Sequence, residues 1–236
     1  MPQRLWAVVP AAGRGTRFGS EVPKQYGLLT GRTVIEHTLA VLCRHPDLAG
    51  VVVALSAGDE YWPRLGLDLP VPLYAVVGGA ERVHSVLAAL SRLESLAAPE
   101  DWVLVHDVAR PCLRDTDLKH LVATLIDHPV GGLLAMPVTD TVKRVNAAGE
   151  VLETVSRTGL WRAATPQMFR LEPLRTALHA ALAAGWMPTD EAAAMEAQGH
   201  RPQVVAGHSD NLKITHPEDL ALAELLMQAQ NTVLGL

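Results

Sequence analysis

Short apolar segments alternate with helical patterns between residues 5 and 138, and this alternation constrains the fold more than any other feature of the sequence. Apolar runs of this kind are typical of strands that are buried on both faces of a sheet. They occur at residues 5–9, 51–55, 73–77, 102–105 and 133–138. Helical periodicity lies between them, at residues 33–43, 81–96 and 118–126. Strands that alternate with helices predict an α/β fold, with a mostly parallel sheet and helices on both of its faces.

The pattern changes at residues 138–158, where two strand-like segments flank a turn at residues 146–149. This pattern predicts a β-hairpin that protrudes from the Rossmann-like body. An isolated two-stranded ribbon is marginally stable in water, so we expect this arm to rest on its own chain or on a second subunit. Further helices are predicted at residues 174–183, 190–198 and 217–228, with short strands at 203–206 and 211–215. Residues 1–236 show no repeat or linker, which favours a single domain. The arm at residues 138–158 is predicted to serve in dimerisation.

A Gly-rich loop follows the first predicted strand and has the sequence PAAGRGTRFGSEVPKQY, residues 10–26. Gly13 and Gly15 would allow backbone N–H groups to approach a phosphate closely. The glycine spacing differs from that of dinucleotide-binding loops, and no Gly-Lys-Ser/Thr sequence of a P-loop occurs. Arg17 and Lys24 suit the charge that builds up on a phosphoryl centre during displacement. We interpret the loop as a phosphate-binding element, and a solvated basic loop is the alternative.

Overall charge and composition limit the partners of such a site. The formal net charge is −5 at pH 7, so we expect no general binding of nucleic acid, and phosphate chemistry must depend on a few placed cations. The two cysteines, Cys43 and Cys112, form neither a disulfide framework nor a zinc motif, which favours a reducing compartment. Apolar runs are too short to span a membrane. We therefore expect a cytoplasmic protein that does not associate with membranes.

Seven motifs in order resemble one family. They are the Gly-rich loop, GGAERVHSV (78–86), VHDVARP (105–111), VTDTVKR (138–144), SRTGLWRAATPQMF (156–169), TDEAAAME (189–196) and DNLKIT (210–215). Together they resemble the 2-C-methyl-D-erythritol 4-phosphate cytidylyltransferases, a family with the nucleotidyltransferase type of fold. The resemblance implies transfer of CMP from CTP to 2-C-methyl-D-erythritol 4-phosphate, with release of pyrophosphate, in the non-mevalonate route to isoprenoid precursors.

The resemblance also implies roles for individual residues around CTP. Arg17 and Lys24 would stabilise the pentacoordinate transition state. Mg²⁺ would bridge the triphosphate oxygens. The position of Asp107 at a strand end makes it a candidate ligand of the ion, while the resemblance favours its contact with the acceptor hydroxyl groups. The nucleotide would contact small or hydroxyl-bearing residues: Ala11, Ala12, Gly13, Gly15, Gly79 and Ser85.

The acceptor would be held by both copies of a homodimer that exchanges its arms. Asp107 and Arg110 would lie at the hydroxyl groups of the acceptor. Its phosphate would be bound by Lys213 of one subunit and by Thr141 and Arg157 from the arm of the other. Another sugar-alcohol phosphate, such as ribitol 5-phosphate, stays open as the acceptor, because both acceptors would require the same cations. A dinucleotide-dependent oxidoreductase is disfavoured by the glycine spacing, and a non-catalytic nucleotide-binding protein would not need cations directed at the phosphates.

Overall fold

The computed structural model describes the backbone of residues 3–13, 18–19 and 22–233. The strands are β1 Leu5–Pro10, β2 Leu28–Leu29, β3 Arg32–Thr33, β4 Leu48–Leu55, β5 Leu73–Val77, β6 Trp102–Val105, β7 Gly131–Pro137, β8 Val142–Val145, β9 Val151–Val155, β10 Trp161–Arg170 and β11 Gln203–Ala206. The α-helices are α1 Val34–Leu42, α2 Arg82–Leu93, α3 Asp115–Leu125, α4 Leu171–Ala183, α5 Glu191–Ala197 and α6 Glu218–Val233.

Within these described residues, the central sheet has seven strands in the order β11-β7-β10-β6-β1-β4-β5. Strands β6, β1, β4 and β5 pair in parallel, as do β11 and β7. Strand β10 is antiparallel to both of its neighbours, β6 and β7. The predicted mostly parallel sheet is therefore confirmed, with one reversed strand inserted between its two parallel parts.

Strand β10 was not predicted from the sequence, and its irregularity explains why. Pro166 lies within it and has no N–H group for the sheet. The register with β7 is interrupted between Ala163 and Gln167. Buried residues such as Met168 and Phe169 follow the interruption, so the strand does not show a single apolar run or a clean alternation.

Helices cover both faces of the sheet, because the side chains of each strand alternate between the faces. In β1, Ala7 and Val9 belong to a buried cluster that includes apolar residues of α1 and α3. Trp6 and Val8 belong to the cluster on the other face, which includes residues of α2 and α4. Helix α1 begins at a capping box formed by Thr33 and Glu36.

The C-terminal part of the chain differs from the prediction in two ways. The predicted strand at residues 211–215 is wrong, because this segment lies outside the strands of the described sheet. It is held instead by single contacts, including the Ile214 N–H, which donates to the Ala109 carbonyl oxygen at 2.8 Å. Helix α6 continues to Val233, beyond its predicted end at residue 228.

The hairpin arm forms a separate two-stranded sheet, in which β8 and β9 pair antiparallel. Several of its apolar side chains are exposed in the single chain: Val145, Val151 and Leu152. The hairpin is thus confirmed, while its role in dimerisation remains a prediction. In the part of the chain that the structure describes, no helix has the length and apolar character needed to cross a membrane.

Candidate active site

A cavity of about 270 Å³ lies beyond the carboxyl ends of the parallel strands, where α/β sheets bind ligands. The segments that follow β1, β5 and β6 form most of its lining. Many of the predicted site residues line it: Ala11, Ala12, Gly13, Lys24, Gly79, Ser85, Asp107 and Lys213. Two further predicted residues, Gly15 and Arg17, lie outside the described residues.

The start of the Gly-rich loop is held in place by hydrogen bonds to its backbone. The Ala11 N–H donates to the Ala54 carbonyl oxygen at 2.7 Å. The Gln25 amide donates to the Ala11 carbonyl at 2.9 Å, and the Ser56 hydroxyl donates to the Ala12 carbonyl at 2.7 Å. These contacts attach the loop to the sheet on one side and to the segment carrying Lys24 on the other.

Lys24 lies in a short 3₁₀ turn, Lys24–Tyr26, and lines the cavity. Its Nζ donates to the carbonyl oxygen of Ile214 at 3.0 Å. Ile214 directly follows Lys213, another residue of the lining. The backbone contact therefore brings the ammonium group of Lys24 to the segment that carries the second lysine.

The turn that follows β5 depends on close approach of its backbone to neighbouring side chains. A Cβ atom at Gly78 would lie 2.7 Å from both the Ala12 Cβ and the Ser85 Oγ, so glycine is needed there. The buried Ser85 hydroxyl accepts a hydrogen bond from the Gly79 N–H at 3.2 Å. Ser85 thus fixes the turn at the base of the cavity.

Asp107 is the most densely paired residue of the site and is only 7% exposed. Its Oδ1 accepts from Arg82 Nε at 2.9 Å, and its Oδ2 lies 2.8 Å from Lys213 Nζ and 3.6 Å from Arg110 Nε. Burial would raise the pKa of Asp107, but these three cations outweigh burial and hold the pKa well below its ordinary value. Asp107 is therefore an ionised acceptor of hydrogen bonds at neutral pH.

Arg82 and Glu191 belong to this cluster and were not predicted as site residues. The Arg82 guanidinium donates to both oxygens of Glu191, through Nη1 at 2.6 Å and Nη2 at 3.0 Å. Burial would lower the pKa of Arg82, but the charges of Glu191 and Asp107 raise it above its ordinary value. Arg82 lies within the GGAERVHSV motif, which was the available signal. Asp190, which precedes Glu191, caps helix α5, since its side chain accepts from the Ala193 N–H.

A buried hydrogen-bond chain supports the loop that carries Asp107 and Arg110. The Nε2 atom of His106 lies 3.1 Å from the Arg110 carbonyl oxygen, which can only accept, so Nε2 carries the proton. The Nδ1 atom then accepts from the Thr165 hydroxyl at 2.9 Å, and the same hydroxyl oxygen accepts from the Asp107 N–H at 3.0 Å. Burial lowers the pKa of His106 to about 4, so the imidazole is neutral at pH 7.

The two predicted arm residues are not brought to this cavity by their own chain. Thr141 and Arg157 are both exposed and lie outside the described lining. Arg157 donates to the carbonyl oxygen of Thr139 within the arm. Arg110 is also not among the lining residues, but its side chain is largely buried beside Asp107 and donates to the Asn211 carbonyl at 2.7 Å.

Among the described residues, no group of three histidine, cysteine, aspartate or glutamate side chains is arranged to hold a metal ion. The site is instead rich in cations around one carboxylate. Such a site can bind anionic phosphate groups and can accept hydrogen bonds from hydroxyl groups through Asp107.

Comparison with known proteins places this geometry in a family. A family model described as 2-C-methyl-D-erythritol 4-phosphate cytidylyltransferase matches residues 5–229. The protein of that name from Hahella chejuensis is 53% identical over 225 residues, which cover 95% of this chain and 93% of the relative. The one from Ectopseudomonas mendocina is 54% identical over 222 residues, which cover 94% of each chain.

Solved structures agree with the sequence comparison. A crystal structure of 4-diphosphocytidyl-2C-methyl-D-erythritol synthase aligns with a TM-score of 0.84 and 36% identity, covering 96% of this chain and 100% of the other. The 2-C-methyl-D-erythritol 4-phosphate cytidylyltransferase from Thermus thermophilus aligns with a TM-score of 0.76 and 32% identity, covering 94% of this chain and 98% of the other.

Proposed function

The chain belongs to the 2-C-methyl-D-erythritol 4-phosphate cytidylyltransferase family, and we propose on this premise that it transfers CMP from CTP to 2-C-methyl-D-erythritol 4-phosphate. The products are 4-diphosphocytidyl-2-C-methyl-D-erythritol and pyrophosphate, and the reaction belongs to isoprenoid precursor biosynthesis. The observation that carries the proposal is the joint position of Lys24, Lys213 and Asp107 on one cavity at the strand ends. This combination supplies cations for two phosphate groups and an acceptor for hydroxyl groups.

The reaction requires charge neutralisation and alignment more than proton transfer. An oxygen of the acceptor phosphate forms a bond to the α-phosphorus of CTP. The bond between that phosphorus and the oxygen that links the α- and β-phosphates breaks. The electron pair of the broken bond leaves with pyrophosphate. A phosphate monoester is largely dianionic at pH 7, so its oxygen attacks without a general base. Lys24 and Arg17 would stabilise the charge on the pentacoordinate centre.

The nucleotide would occupy the part of the cavity formed by the first loop and the turn after β5. Ala11, Ala12 and Gly79 leave space beside the backbone, and Ser85 holds the turn through its contact with the Gly79 N–H. Gly13 and Gly15 would allow the loop to follow the triphosphate closely.

A divalent cation such as Mg²⁺ would enter as part of the substrate, bound to the triphosphate. Two observations on the described residues support this arrangement. They contain no group of three metal-ligating side chains, and the Asp107 carboxylate already faces Arg82, Lys213 and Arg110. A further cation at Asp107 would be repelled, which favours contact of this residue with acceptor hydroxyl groups over a role as a Mg²⁺ ligand. When bound, the ion supplies positive charge to the triphosphate oxygens.

The acceptor would lie between Asp107, Arg110 and Lys213 of one chain and the arm of a second copy. Thr141 and Arg157 are exposed on an arm whose apolar side chains are also exposed, as expected for a segment that packs on another subunit. We therefore propose a homodimer with exchanged arms. We also propose that it acts in the cytoplasm and binds neither nucleic acid nor membranes.

The test is product formation with CTP, MgCl₂ and 2-C-methyl-D-erythritol 4-phosphate, with pyrophosphate release followed continuously. Ribitol 5-phosphate serves as the control acceptor, and omission of either substrate serves as the blank. We expect pyrophosphate release that depends on both substrates and is far faster with the methylerythritol phosphate. Equal or faster reaction with ribitol 5-phosphate would contradict the assigned acceptor, and no release with any acceptor would contradict the activity.

A further inference from the structure

Two of the three cations around Asp107, Arg82 and Lys213, are held very differently. The Arg82 guanidinium makes three hydrogen bonds, one to Asp107 and two to Glu191. Lys213 reaches Asp107 through its ammonium group, and its side chain is 41% exposed. Arg82 is 29% exposed and is fixed on its far side by Glu191. An ion pair made by a bidentate guanidinium is far better oriented than one made by a flexible lysine.

Glu191 is the anchor of this arrangement. Its side chain is only 1% exposed, and it stands at the first position of helix α5. Its two oxygens accept hydrogen bonds from the two terminal nitrogens of Arg82, while Arg82 Nε donates to Asp107. Because a buried carboxylate without a partner is costly, Glu191 and Arg82 hold each other in one geometry.

We propose that Arg82, clamped by Glu191, is a positioning residue that holds the Asp107 carboxylate in place for the acceptor hydroxyl groups while Lys213 turns to the acceptor phosphate. This inference rests on the proposed function. Lys213 cannot give its full charge to a phosphate while it is paired with Asp107 at 2.8 Å. When it turns away, Oδ2 of Asp107 becomes available to the hydroxyl groups, and Arg82 still holds Oδ1.

Arg82 acts through Asp107 in this scheme, and a double-mutant cycle can isolate that dependence. R82Q alone would leave Glu191 buried without its cation, so the main variant is the pair R82Q/E191Q, which removes both charges together. The pair is made in the wild-type chain and in D107N. Steady-state kinetics give kcat and KM for both substrates, and calorimetric titration gives the affinity for the acceptor in the presence of a non-reactive CTP analogue.

We expect R82Q/E191Q to weaken acceptor binding about tenfold or more, because a displaced carboxylate loses charge-assisted hydrogen bonds. The affinity for CTP should change by less than about threefold, since Asp107 serves the acceptor. In the D107N background the same pair should change acceptor binding by less than about threefold. R92Q is the matched control, because Arg92 is an exposed arginine of the same helix that stacks on Tyr74, and it should leave both affinities unchanged.

Several results would overturn the inference. An unchanged acceptor affinity in R82Q/E191Q would mean that Arg82 does not position Asp107. The full effect in the D107N background would mean that Arg82 contacts the substrate itself or supports the fold in general. Inactivity of the wild-type chain with the acceptor would count against the proposed function, whereas an active wild type with an additive cycle would count against this inference alone.

Discussion

Replacement of Thr165 by valine tests the hydrogen-bond chain beneath the site. Valine has nearly the same shape as threonine, and the side chain is 4% exposed, so the change removes a hydroxyl from the interior without opening a cavity. Two contacts are lost together: the bond accepted from the Asp107 N–H and the bond donated to His106 Nδ1. Both former partners stay buried.

The expected loss of stability follows from counting those partners. A buried polar group left without a hydrogen bond costs about 1–3 kcal/mol. Two such groups give about 2–6 kcal/mol, and the added apolar methyl group of valine offsets about 1 kcal/mol of that. We expect the free energy of unfolding of T165V to fall by about 3 kcal/mol. T165S is the matched control, because it keeps the hydroxyl and loses only a methyl group, at a cost of about 1 kcal/mol.

Urea denaturation followed by far-UV circular dichroism measures this difference. With a slope of about 2 kcal/mol per molar urea, the midpoint of T165V should lie about 1.5 M below that of the wild type. The order of the two variants is the decisive result, since valine is the larger and more apolar replacement. If T165V proved as stable as T165S or more stable, the hydrogen-bond chain would not support the loop that carries Asp107.

Three further predictions concern catalysis, assembly and pH. K24A should lower kcat by roughly two to three orders of magnitude while CTP affinity changes less, as stopped-flow and binding assays would measure, and K119A on helix α3 should have no effect. Mixing inactive K24A and R157A chains should restore activity if arms are exchanged, because one site of the mixed dimer has both residues intact; confirmed subunit exchange without recovery would contradict the shared site. Burial lowers the pKa of His106 from an ordinary value near 6.5 to about 4, so the folded state binds fewer protons than the unfolded state between these values. The free energy of unfolding should therefore fall as pH falls through this range, by about 3 kcal/mol at pH 4, and the slope should be shallower in H106N.

The regular parts of the fold could be predicted because each one carries its own local signal. The strand at residues 73–77 and the hairpin both show a pattern within a few residues, and both are present in the structure. Strand β10 lacks such a signal, because Pro166 and the break in register divide it into two short pieces. The segment at residues 211–215, by contrast, has the local sequence pattern of a strand but does not form one. Its apolar and β-branched residues suggested a strand, but their burial comes from packing under α6 and from the contact with Ala109.

The site residues that were predicted lie in recognisable local motifs, whereas the role of a missed residue, Glu191, depends on a contact with a distant part of the chain. Lys24 lies in the Gly-rich loop after the first strand, whose local pattern predicts phosphate binding, whereas Asp107 and Lys213 were assigned because their short motifs resemble those of the family. Glu191 lies 109 positions from Arg82 along the chain. Its sequence surroundings are those of an ordinary acidic residue in the first turn of a helix, a position where acidic residues are favoured for helix stability alone.

What decides the role of Glu191 is burial, and burial follows from tertiary structure. Helix α5 packs against α4 on one face of the sheet, and this packing brings the first turn of α5 to the start of α2. An acidic residue exposed there would add little to the site, because water would screen its charge. With its side chain 1% exposed, Glu191 instead fixes the orientation of Arg82, and through it one oxygen of Asp107. The orientation of the carboxylate that faces the cavity thus depends on a helix that contributes no residue to the described lining of that cavity.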